Sequence, residues 1–374
     1  MKILTVVANF PSKSKPYNGV FVNDLLLEFA RLGHEVSVIA PQKATEDSMP
    51  KETTEGGVKV FRPKFISFGN FKVLGIKTRL LSHLSFKLVV QFFVLRRKLC
   101  FDAIYSHFLF PSGDAAVMLS QRTGKPVFCS LGESTFEAYE SVYPHGKIRK
   151  LLDSFSLVFP NSRDKADFLK HEYGNGLKLQ YVPNGVDVGI FFPAPQAEAR
   201  RRLGLSVEDP IVLFVGGFID RKGPLRVLAA CDELPNIPKM IFIGEGPQQL
   251  QHPQIVFRGK VRHDELALYL NAADVFVTPS RKEGMPNALL EAMACSCRIV
   301  ASDIPVHREL LEDYDQGTLC NGEDPASMSN AIRRMLFVDD ASTASDFQYS
   351  LEKRALAILK SMEKVLEPDL LSSD

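Results

Sequence analysis

The sequence predicts an α/β protein with two doubly wound domains, each a parallel sheet covered by helices on both faces. Short runs rich in Val and Ile alternate with longer helical patterns along the chain, as in parallel sheets. The chain has 374 residues, of which 45% are apolar and 24% charged, enough for two domains with sizeable cores. A stretch rich in Pro and Gly near residue 185 separates the strands into two series.

The first series of strands lies in the N-terminal half. We predict strands at 3–8, 36–40, 103–106, 127–130, 157–160 and 178–182. The apolar run at the N-terminus is too short for a signal peptide and lacks an A-x-A-like cleavage site, so we interpret it as the first buried strand. Secretion is therefore not expected.

The second series follows the segment Pro183-Asn184-Gly185-Val186-Asp187. We predict strands at 211–215, 240–243, 255–258, 275–278 and 298–301. The Pro and Gly residues of 183–195 are typical of a linker, so the predicted domains are 1–186 and 187–354. The last amphipathic pattern, 347–366, has no strand behind it. We expect this C-terminal helix to return to the first domain, which residues from about 355 to 374 complete.

The cysteines and the charge balance exclude several protein classes. Six cysteines, at positions 100, 129, 231, 295, 297 and 320, are too few and too scattered for a disulfide framework, which favours a reducing cytosol. Cys295 and Cys297 lack the second pair of ligands that a structural zinc site needs, and no metal is expected. A net charge of +1 gives no reason to expect nucleic acid as a partner.

The loops at the carboxyl ends of the strands are where ligands bind in open α/β sheets. The loop after the first strand, residues 9–19, contains no G-x-G-x-x-G, and the chain contains no G-x-x-x-x-G-K-[ST]. The chain therefore lacks the motifs that would indicate nicotinamide redox chemistry or NTP hydrolysis.

The most informative loop precedes a predicted helix at 287–294. Gly284 allows a tight turn and Pro286 suits the first helical position, so a helix N-terminus opens at the sheet edge and could receive a phosphate. Glu283 and Glu291 lie at most about 12 Å apart at the helical rise, a span that suits a nucleotide sugar. Alternatively, Glu283 caps the helix and Glu291 is an ordinary surface carboxylate.

The segment Glu283 to Ala294 reads E-G-x-P-x-x-L-L-E-A-M-A, which resembles the E-x7-E motif of the retaining glycosyltransferase family 4, whose fold is GT-B. Other family landmarks stand in the same order. They are Asn18-Gly19-Val20-Phe21-Val22, Leu32-Gly33-His34-Glu35-Val36, Asp102-Ala103-Ile104-Tyr105-Ser106-His107, Pro183-Asn184-Gly185-Val186-Asp187, Lys222-Gly223 and Gly244-Glu245-Gly246-Pro247. The resemblance covers nearly the whole chain and implies two Rossmann-like domains that face each other across a cleft.

The resemblance also implies roles for single residues. The catalytic residues would be His107 towards the transferred sugar, Lys222 on the leaving phosphates and Glu283 on the sugar hydroxyls. The donor-binding residues would be Gly19, Gly217, Arg221, Gly244, Gly246, Met285, Asn287, Ala288 and Glu291, the last on the ribose. Alternatively, His107 is a packed residue beside an apolar run, Lys222 is a solvated residue at a helix start, and the glycines serve turns alone.

The departures from the family pattern also carry information. The family's Arg, which grips the diphosphate, is Gly217 here, so Arg221, Arg281 or a Lys of the first domain would have to compensate. The family's H-G-x-D appears as Leu131-Gly132-Glu133-Ser134. These changes leave room for a weak or degenerate enzyme, and Gly217 in place of the Arg motivates one rival function, a non-catalytic nucleotide-sugar-binding module. The other rival is a nucleotide-sugar epimerase, which shares the architecture but for which no acid-base carboxylates are identified.

A basic stretch stands out between residues 57 and 101, with ten basic residues and no acidic one. The apolar residues among them are Phe65, Phe68, Phe71, Leu74, Leu80, Leu84, Phe86 and Phe92. The charges, Lys87 among them, interrupt the run too early for a transmembrane helix. We expect a surface that lies on an anionic membrane, or alternatively a solvated helix face over core aromatics. No motif for nucleic acid accompanies it.

The resemblance therefore implies a retaining, metal-independent glycosyltransferase that uses a UDP- or GDP-sugar. Its acceptor would be a lipid-linked or oligosaccharide substrate of cell-surface polysaccharide or glycolipid synthesis. The protein would be cytoplasmic and peripheral on the inner face of the cytoplasmic membrane.

Overall fold

The computed structural model describes residues 1–13, 18–46, 49–69, 72–73, 76–133, 136–337 and 347–367. Ser134 of the departing family motif, Phe71 and Leu74 of the basic stretch, and residues 14–17 of the first loop lie outside the described residues.

The chain divides into two units, Met1–Pro183 with Leu351–Asp374, and Asn184–Ser350. The sequence had placed these divisions three or four residues later. Asn184 belongs to the second unit because its side-chain amide donates to the Asn287 side chain at 2.7 Å. Val186 also pairs with Ser350 in that unit. The P-N-G-V-D segment therefore contributes to the second unit from its asparagine onwards.

The first unit is built on one large sheet with two small two-stranded sheets. Its strands are β1 (Lys2–Val6), β2 (Glu35–Ile39), β3 (Gln42–Lys43), β4 (Glu52–Glu55), β5 (Val58–Phe61), β6 (Lys64–Phe65), β7 (Lys72–Val73), β8 (Ile76–Lys77), β9 (Ala103–His107), β10 (Val127–Leu131) and β11 (Leu157–Pro160). The large sheet has the order β11-β10-β9-β1-β2-β5-β4, parallel except between β4 and β5. Every residue of β9 and β10 is buried, which explains their continuous apolar runs.

The helices of the N-terminal part cover this sheet. They are α1 (Val20–Arg31), α2 (Thr78–Arg97), α3 (Asp114–Thr123), α4 (Glu137–Glu140), α5 (His145–Asp153) and α6 (Arg163–Tyr173). Helix α1 begins directly after Gly19 and buries Val22, Leu25, Leu26 and Phe29 against the sheet, a helical spacing of one apolar face.

The predicted strand at 178–182 was wrong. Among these residues, all of them described, Leu179 forms a single bridge with Val158, and the Val182 N–H donates to the Pro160 carbonyl at 3.0 Å. Pro160 ends β11 and has no N–H to donate, so the ladder cannot continue past it.

Helix α2, which carries much of the basic stretch, is continuous over 20 residues. It is long and apolar enough to cross a membrane by length and composition, criteria that the core helix of a soluble protein also meets. By these criteria the expectation that charges such as Lys87 interrupt the run was wrong. Lys87 instead pairs with Asp114 at 3.0 Å, inside the first unit.

The second unit contains a second, wholly parallel sheet. Its elements are α7 (Gln196–Leu203), β12 (Ile211–Val215), α8 (Pro224–Asp232), β13 (Lys239–Ile243), β14 (Ile255–Gly259), α9 (His263–Ala272), β15 (Val275–Thr278), α10 (Asn287–Ala294), β16 (Arg298–Ser302), α11 (Pro305–Leu311), β17 (Gly317–Cys320) and α12 (Pro325–Leu336). The strand order is β14-β13-β12-β15-β16-β17. The α/β class with two parallel sheets is thereby confirmed.

The last helix, α13 (Leu351–Leu366), belongs to the first unit, as expected for the returning C-terminal segment. It buries Leu351, Ala355, Ile358, Leu359 and Met362 in the same core as helix α1. Glu352 also accepts a hydrogen bond from Arg31 of α1 at 2.9 Å.

The sequence analysis missed strands β4, β5 and β17, in addition to the two-residue strands β3, β6, β7 and β8. Strands β4 and β5 form a hairpin whose turn is Gly56-Gly57, both with positive φ. An alternating run beside a Gly-Gly pair is a hairpin signal that could have revealed it. Strand β17 is only partly buried and starts with a glycine, so it carries little apolar pattern.

A buried ion pair ties helix α7 to the sheet of the second unit. The Arg200 guanidinium, 2% exposed, donates to Asp274 at 2.6 Å and to the Ala272 and Val207 carbonyls at 2.9 and 2.8 Å. The same Asp274 oxygen accepts the N–H of Ile211, the first residue of β12, at 2.6 Å. These bonds fix where β12 begins.

We expect Arg200→Ala to lower the free energy of unfolding of the second unit by about 3–5 kcal/mol, because Asp274 would lose its cation and keep only hydrogen bonds while its side chain stays 18% exposed. Urea denaturation followed by far-UV circular dichroism measures the change. The control is Arg201→Ala, an exposed position on the same helix, with an expected change within about 0.5 kcal/mol. Similar small effects of both substitutions would contradict the assignment.

Candidate functional site

The loops after three neighbouring strands of the second unit carry most of the predicted donor-site residues. Strands β13, β12 and β15 lie side by side. Arg221, Lys222 and Gly217 follow β12, Gly244 and Gly246 follow β13, and Glu283 and Met285 follow β15, while Asn287, Ala288 and Glu291 lie on α10. Because the strands are parallel, their carboxyl ends share one edge of the sheet, which brings these residues together. His107 and Gly19 lie in the first unit.

Glu283 is the electrostatic centre of this edge. Its side chain is 7% exposed, Lys222 Nζ donates to its Oε1, and Arg221 Nη1 lies 3.5 Å from its Oε2. Burial opposes ionisation of Glu283, but the positive charges of Lys222 and Arg221 outweigh it, so its pKa lies below the ordinary value. Glu283 is therefore a carboxylate at neutral pH, held by two cations from the loop after β12.

Helix α10 presents its N-terminus beside this ion pair. It begins at Asn287, so Pro286 is the N-cap and stands one position earlier than expected. Pro286 has no side chain that could cap this end, and Glu283 bonds to Lys222 and Arg221 instead, so Glu283 is not the helix cap that the alternative interpretation required. The Asn287 side chain is instead fixed by Asn184, which leaves the first backbone N–H groups of the helix without a side-chain cap.

Glu291, expected to bind the ribose or, in the alternative interpretation, to be an ordinary surface carboxylate, is 7% exposed. Its Oε1 lies 2.8 Å from Nε2 of His263, the first residue of α9. The expectation of an ordinary surface position was therefore wrong, because the second turn of α10 faces the neighbouring helix. His263 escaped the sequence analysis, since 28 residues separate the pair and no motif joins them.

Local packing explains why positions 244 and 246 are glycines. A Cβ on Gly244 would lie 1.9 Å from the Gly216 carbonyl oxygen, and one on Gly246 would lie 2.4 Å from the Phe218 carbonyl oxygen. The two loops after β12 and β13 therefore touch backbone to backbone. Phe218 N–H donates to the Glu245 carbonyl at 2.7 Å across this contact. Close packing of the loops accounts for both glycines before any ligand is considered.

Gly217 stands where the family has an arginine, and Arg221 and Arg281 of the second unit were named as residues that could compensate. The structure favours one of the two. Arg281 is neutralised by Glu323, at 2.8 Å, and by Asp220. Arg221 shares Glu283 with Lys222, and its side chain remains 36% exposed. Arg221 is therefore the better placed of the two arginines, since it lies in the same loop after β12 as Gly217.

His107 is the last residue of β9 and is 1% exposed. Phe21 and Phe108 pack edge-on against its ring at 5.4 and 4.8 Å between centroids. Burial, with further contributions from Arg354 and Lys165, holds its pKa well below the ordinary value, so the imidazole is neutral. Within the described part of the chain neither ring nitrogen has a hydrogen-bond partner. Gly19 precedes helix α1 as its N-cap with φ of 73°.

A second buried histidine, His307, also escaped the sequence analysis. Its Nδ1 lies 2.9 Å from the Ser302 carbonyl oxygen at the end of β16, and burial lowers its pKa to about 4. Glu283 and Lys222 both act on it electrostatically, which places it near the ion pair. Among the described residues, no group of three or more His, Cys, Asp or Glu side chains is arranged to hold a metal ion.

Comparisons with known proteins match the chain to glycosyltransferases. The model of Glycosyltransferase Family 4 matches residues 19–189, and that of Glycosyl transferases group 1 matches residues 209–337. A Bacillus subtilis protein named as a teichuronic acid biosynthesis glycosyltransferase, TuaC, is 29% identical over 358 residues, 89% of each chain.

Two solved structures share the fold. The sucrose-phosphate synthase of Thermosynechococcus elongatus superposes with a TM-score of 0.73 at 19% identity, covering 98% of this chain and 97% of the other. The Anabaena protein HepE in complex with UDP and glucose has a TM-score of 0.67 at 18% identity, covering 98% of both chains.

We expect Lys222→Met to raise the pKa of Glu283 from below to above its ordinary value, because burial then outweighs the remaining pull of Arg221. In the wild type, the stability that this pair contributes is present at neutral pH and is lost as the pH falls through the lowered pKa. Titration of the Glu283 carboxyl carbon by NMR measures the shift. Lys260→Met, which removes a more exposed partner of Glu245, should leave it unchanged. An unmoved Glu283 pKa in Lys222→Met would contradict the assignment.

Proposed function

Because this chain is a GT-B glycosyltransferase that belongs to glycosyltransferase family 4, we propose that it transfers a sugar with retention of configuration from a UDP- or GDP-sugar to a lipid-linked or oligosaccharide acceptor. The observation that carries the proposal is the ion pair of Glu283 with Lys222 and Arg221 beside the uncapped N-terminus of α10. This arrangement combines a fixed carboxylate, two cations and free backbone N–H groups at one sheet edge.

Glycosyl transfer by this site needs stabilisation of the departing diphosphate. As the bond to the anomeric carbon breaks, negative charge grows on the phosphate oxygens and positive charge on the sugar ring. Lys222 and Arg221 supply positive charge, and the N–H groups of Met285, Asn287 and Ala288 supply donors at the helix N-terminus. With these groups the leaving diphosphate is stabilised without a metal ion.

The two carboxylates take different parts of the donor. Glu283 accepts hydrogen bonds from the sugar hydroxyls and, being ionised, stabilises positive charge on the ring. Glu291 accepts hydrogen bonds from the ribose hydroxyls, and His263 orients it through Oε1. A carboxylate whose direction is already fixed loses less conformational entropy when the nucleotide binds.

His107 acts on the transferred sugar as a neutral imidazole. Burial keeps the ring uncharged at neutral pH, so it exchanges a hydrogen bond with a sugar hydroxyl instead of repelling the developing positive charge. Both ring nitrogens lack a partner among the described residues, which supports a role in ligand binding over a purely packed position.

The acceptor belongs to cell-surface polysaccharide or glycolipid synthesis. The similarity to the Bacillus subtilis protein named for teichuronic acid biosynthesis, over 89% of both chains, supports this substrate class. A lipid-linked acceptor also calls for a membrane-facing surface on a cytoplasmic enzyme.

Helix α2 supplies such a surface. Leu81, Leu84, Leu88, Phe92 and Leu95 follow one another at helical spacing and are each at least 42% exposed. The opposite side of the helix buries Phe86, Val90 and Val94 in the core. Three exposed basic residues follow these apolar side chains at the C-terminal end of the helix: Arg96, Arg97 and Lys98. Their positive charges attract an anionic membrane leaflet.

Nucleotide binding tests the donor site. In a thermal-shift panel of UDP, GDP, ADP and their sugars, one base should raise the melting temperature, since a ligand at 100 times its Kd stabilises by about 2.7 kcal/mol. Glu291→Ala should then weaken the affinity for that nucleoside diphosphate by about tenfold to a hundredfold, as measured by calorimetry. The exposed Glu312→Ala is the control. An unchanged affinity in Glu291→Ala would remove the ribose contact from the proposal.

Vesicle binding tests the membrane surface. The protein should pellet with anionic vesicles at low salt, leave them as salt is added, and ignore neutral vesicles. Arg97 already pairs with Glu52 at 3.4 Å, so Arg96 and Lys98 are the better sites to change. The double Gln variant should lose about 2 kcal/mol, or about thirtyfold in affinity. The double Gln variant of the exposed Arg201 and Arg202 should bind like the wild type, and equal losses in both would contradict a specific surface.

A further inference from the structure

The turn that follows His107 is strained. Phe108 has φ of 68° and ψ of 147°, a region that residues other than glycine rarely adopt. Such a conformation persists only when neighbouring contacts hold it. The Phe108 N–H donates to the Ser130 carbonyl of β10 at 2.9 Å, which holds the first side of the turn.

Glu133 holds the other side. Its Oε1 accepts the backbone N–H of Leu109 at 2.7 Å and the hydroxyl of Tyr139 at 2.8 Å. Glu133 is 9% exposed, so its carboxylate is enclosed by protein, where it accepts these two hydrogen bonds and interacts electrostatically with the buried ammonium group of Lys165. Burial and the negative charge of Glu133 both raise the pKa of Tyr139, so the phenol remains a donor.

Gly132, the residue before Glu133, has no side chain and so leaves room for the His107 ring. A Cβ on Gly132 would lie 3.3 Å from His107 Nε2 and 3.2 Å from the Phe108 ring. Residues 131–133 therefore pass directly against the imidazole and the strained turn. The same segment limits where the ring can move.

Glu133 does not act on His107 directly. Neither ring nitrogen of His107 has a hydrogen-bond partner among the described residues, and the groups that depress its pKa are Arg354 and Lys165 in addition to burial. The carboxylate is therefore not part of a relay of the Asp-His type. Its contact with this region is the Leu109 amide, two residues beyond the histidine.

We propose that Glu133 is a positioning residue that locks the strained His107-Phe108-Leu109 turn and so fixes the direction of the His107 ring for the transferred sugar. This inference rests on the proposed function of His107. Removing the acceptor for the Leu109 N–H lets Phe108 relax to negative φ, which turns the backbone that carries the imidazole.

Three variants test it. Glu133→Met fills the same space without an acceptor, Glu133→Gln keeps an amide oxygen for Leu109 without the charge, and Tyr139→Phe removes the other hydrogen bond alone. In Glu133→Met, kcat should fall about tenfold or more while the donor KM changes less than about threefold, since the donor residues lie in the second unit. Glu133→Gln and Tyr139→Phe should stay within about threefold of the wild-type kcat.

Hydrogen exchange at the Leu109 amide gives a second readout that needs no turnover. Protection should fall about tenfold or more in Glu133→Met and persist in Glu133→Gln.

Loss of protection with unchanged kcat would overturn the link to His107, and a Gln variant as impaired as Met would overturn the hydrogen bond as the cause. If Glu133→Met does not fold, Glu133→Leu, which also lacks an acceptor, takes its place with the same expected losses, and wild-type kcat and protection in that variant would overturn the inference. Absence of transfer in the wild type would instead count against the proposed function.

Discussion

A carboxylate removed from water needs cations or hydrogen bonds that replace its hydration, and Glu283 meets this requirement through Lys222 and Arg221. The pairing joins the loop after β12 to the loop after β15, two strands that are neighbours in the sheet. It therefore fixes the loop that opens helix α10 and holds two cations beside that helix N-terminus. The geometry of the proposed donor site depends on this one interaction.

The two units differ in the charge of their buried candidate site residues. The second unit gathers paired charges at its sheet edge, where Glu283 is ionised because cations outweigh burial. The first unit ends β9 with a histidine that burial keeps neutral, followed by a strained turn that Glu133 supports. Charge that grows on a diphosphate is best met by fixed cations, whereas a sugar hydroxyl is best met by a neutral hydrogen-bonding ring. Under the proposed function, the cations of the second unit suit a diphosphate and the neutral histidine of the first unit suits a sugar hydroxyl.

Much of the fold and the motif-bearing loops could be predicted from the sequence, because buried parallel strands are continuous apolar runs and α10 is an unbroken run of helix formers from Asn287 to Ala294. Edge strand β17 could not, since three of its four residues are only partly buried and its apolar pattern is weak. The hairpin β4-β5 was missed although its Gly-Gly turn was visible in the sequence, because β4 is almost wholly solvated. Contacts between distant residues were also missed. Asn184 meets Asn287 across 103 residues and His263 meets Glu291 across 28, and only the folded sheet brings each pair together.

The most direct test of the central claim compares the rate of sugar transfer with donor affinity in Lys222→Met. If Lys222 stabilises charge that grows on the leaving diphosphate, kcat should fall about a hundredfold or more while the Kd of the donor rises less than about tenfold. Single-turnover kinetics and calorimetry give the two numbers, with Lys260→Met as the control of equal charge change. Equal losses in rate and affinity would show that Lys222 only binds the donor and would contradict electrostatic catalysis by this ion pair.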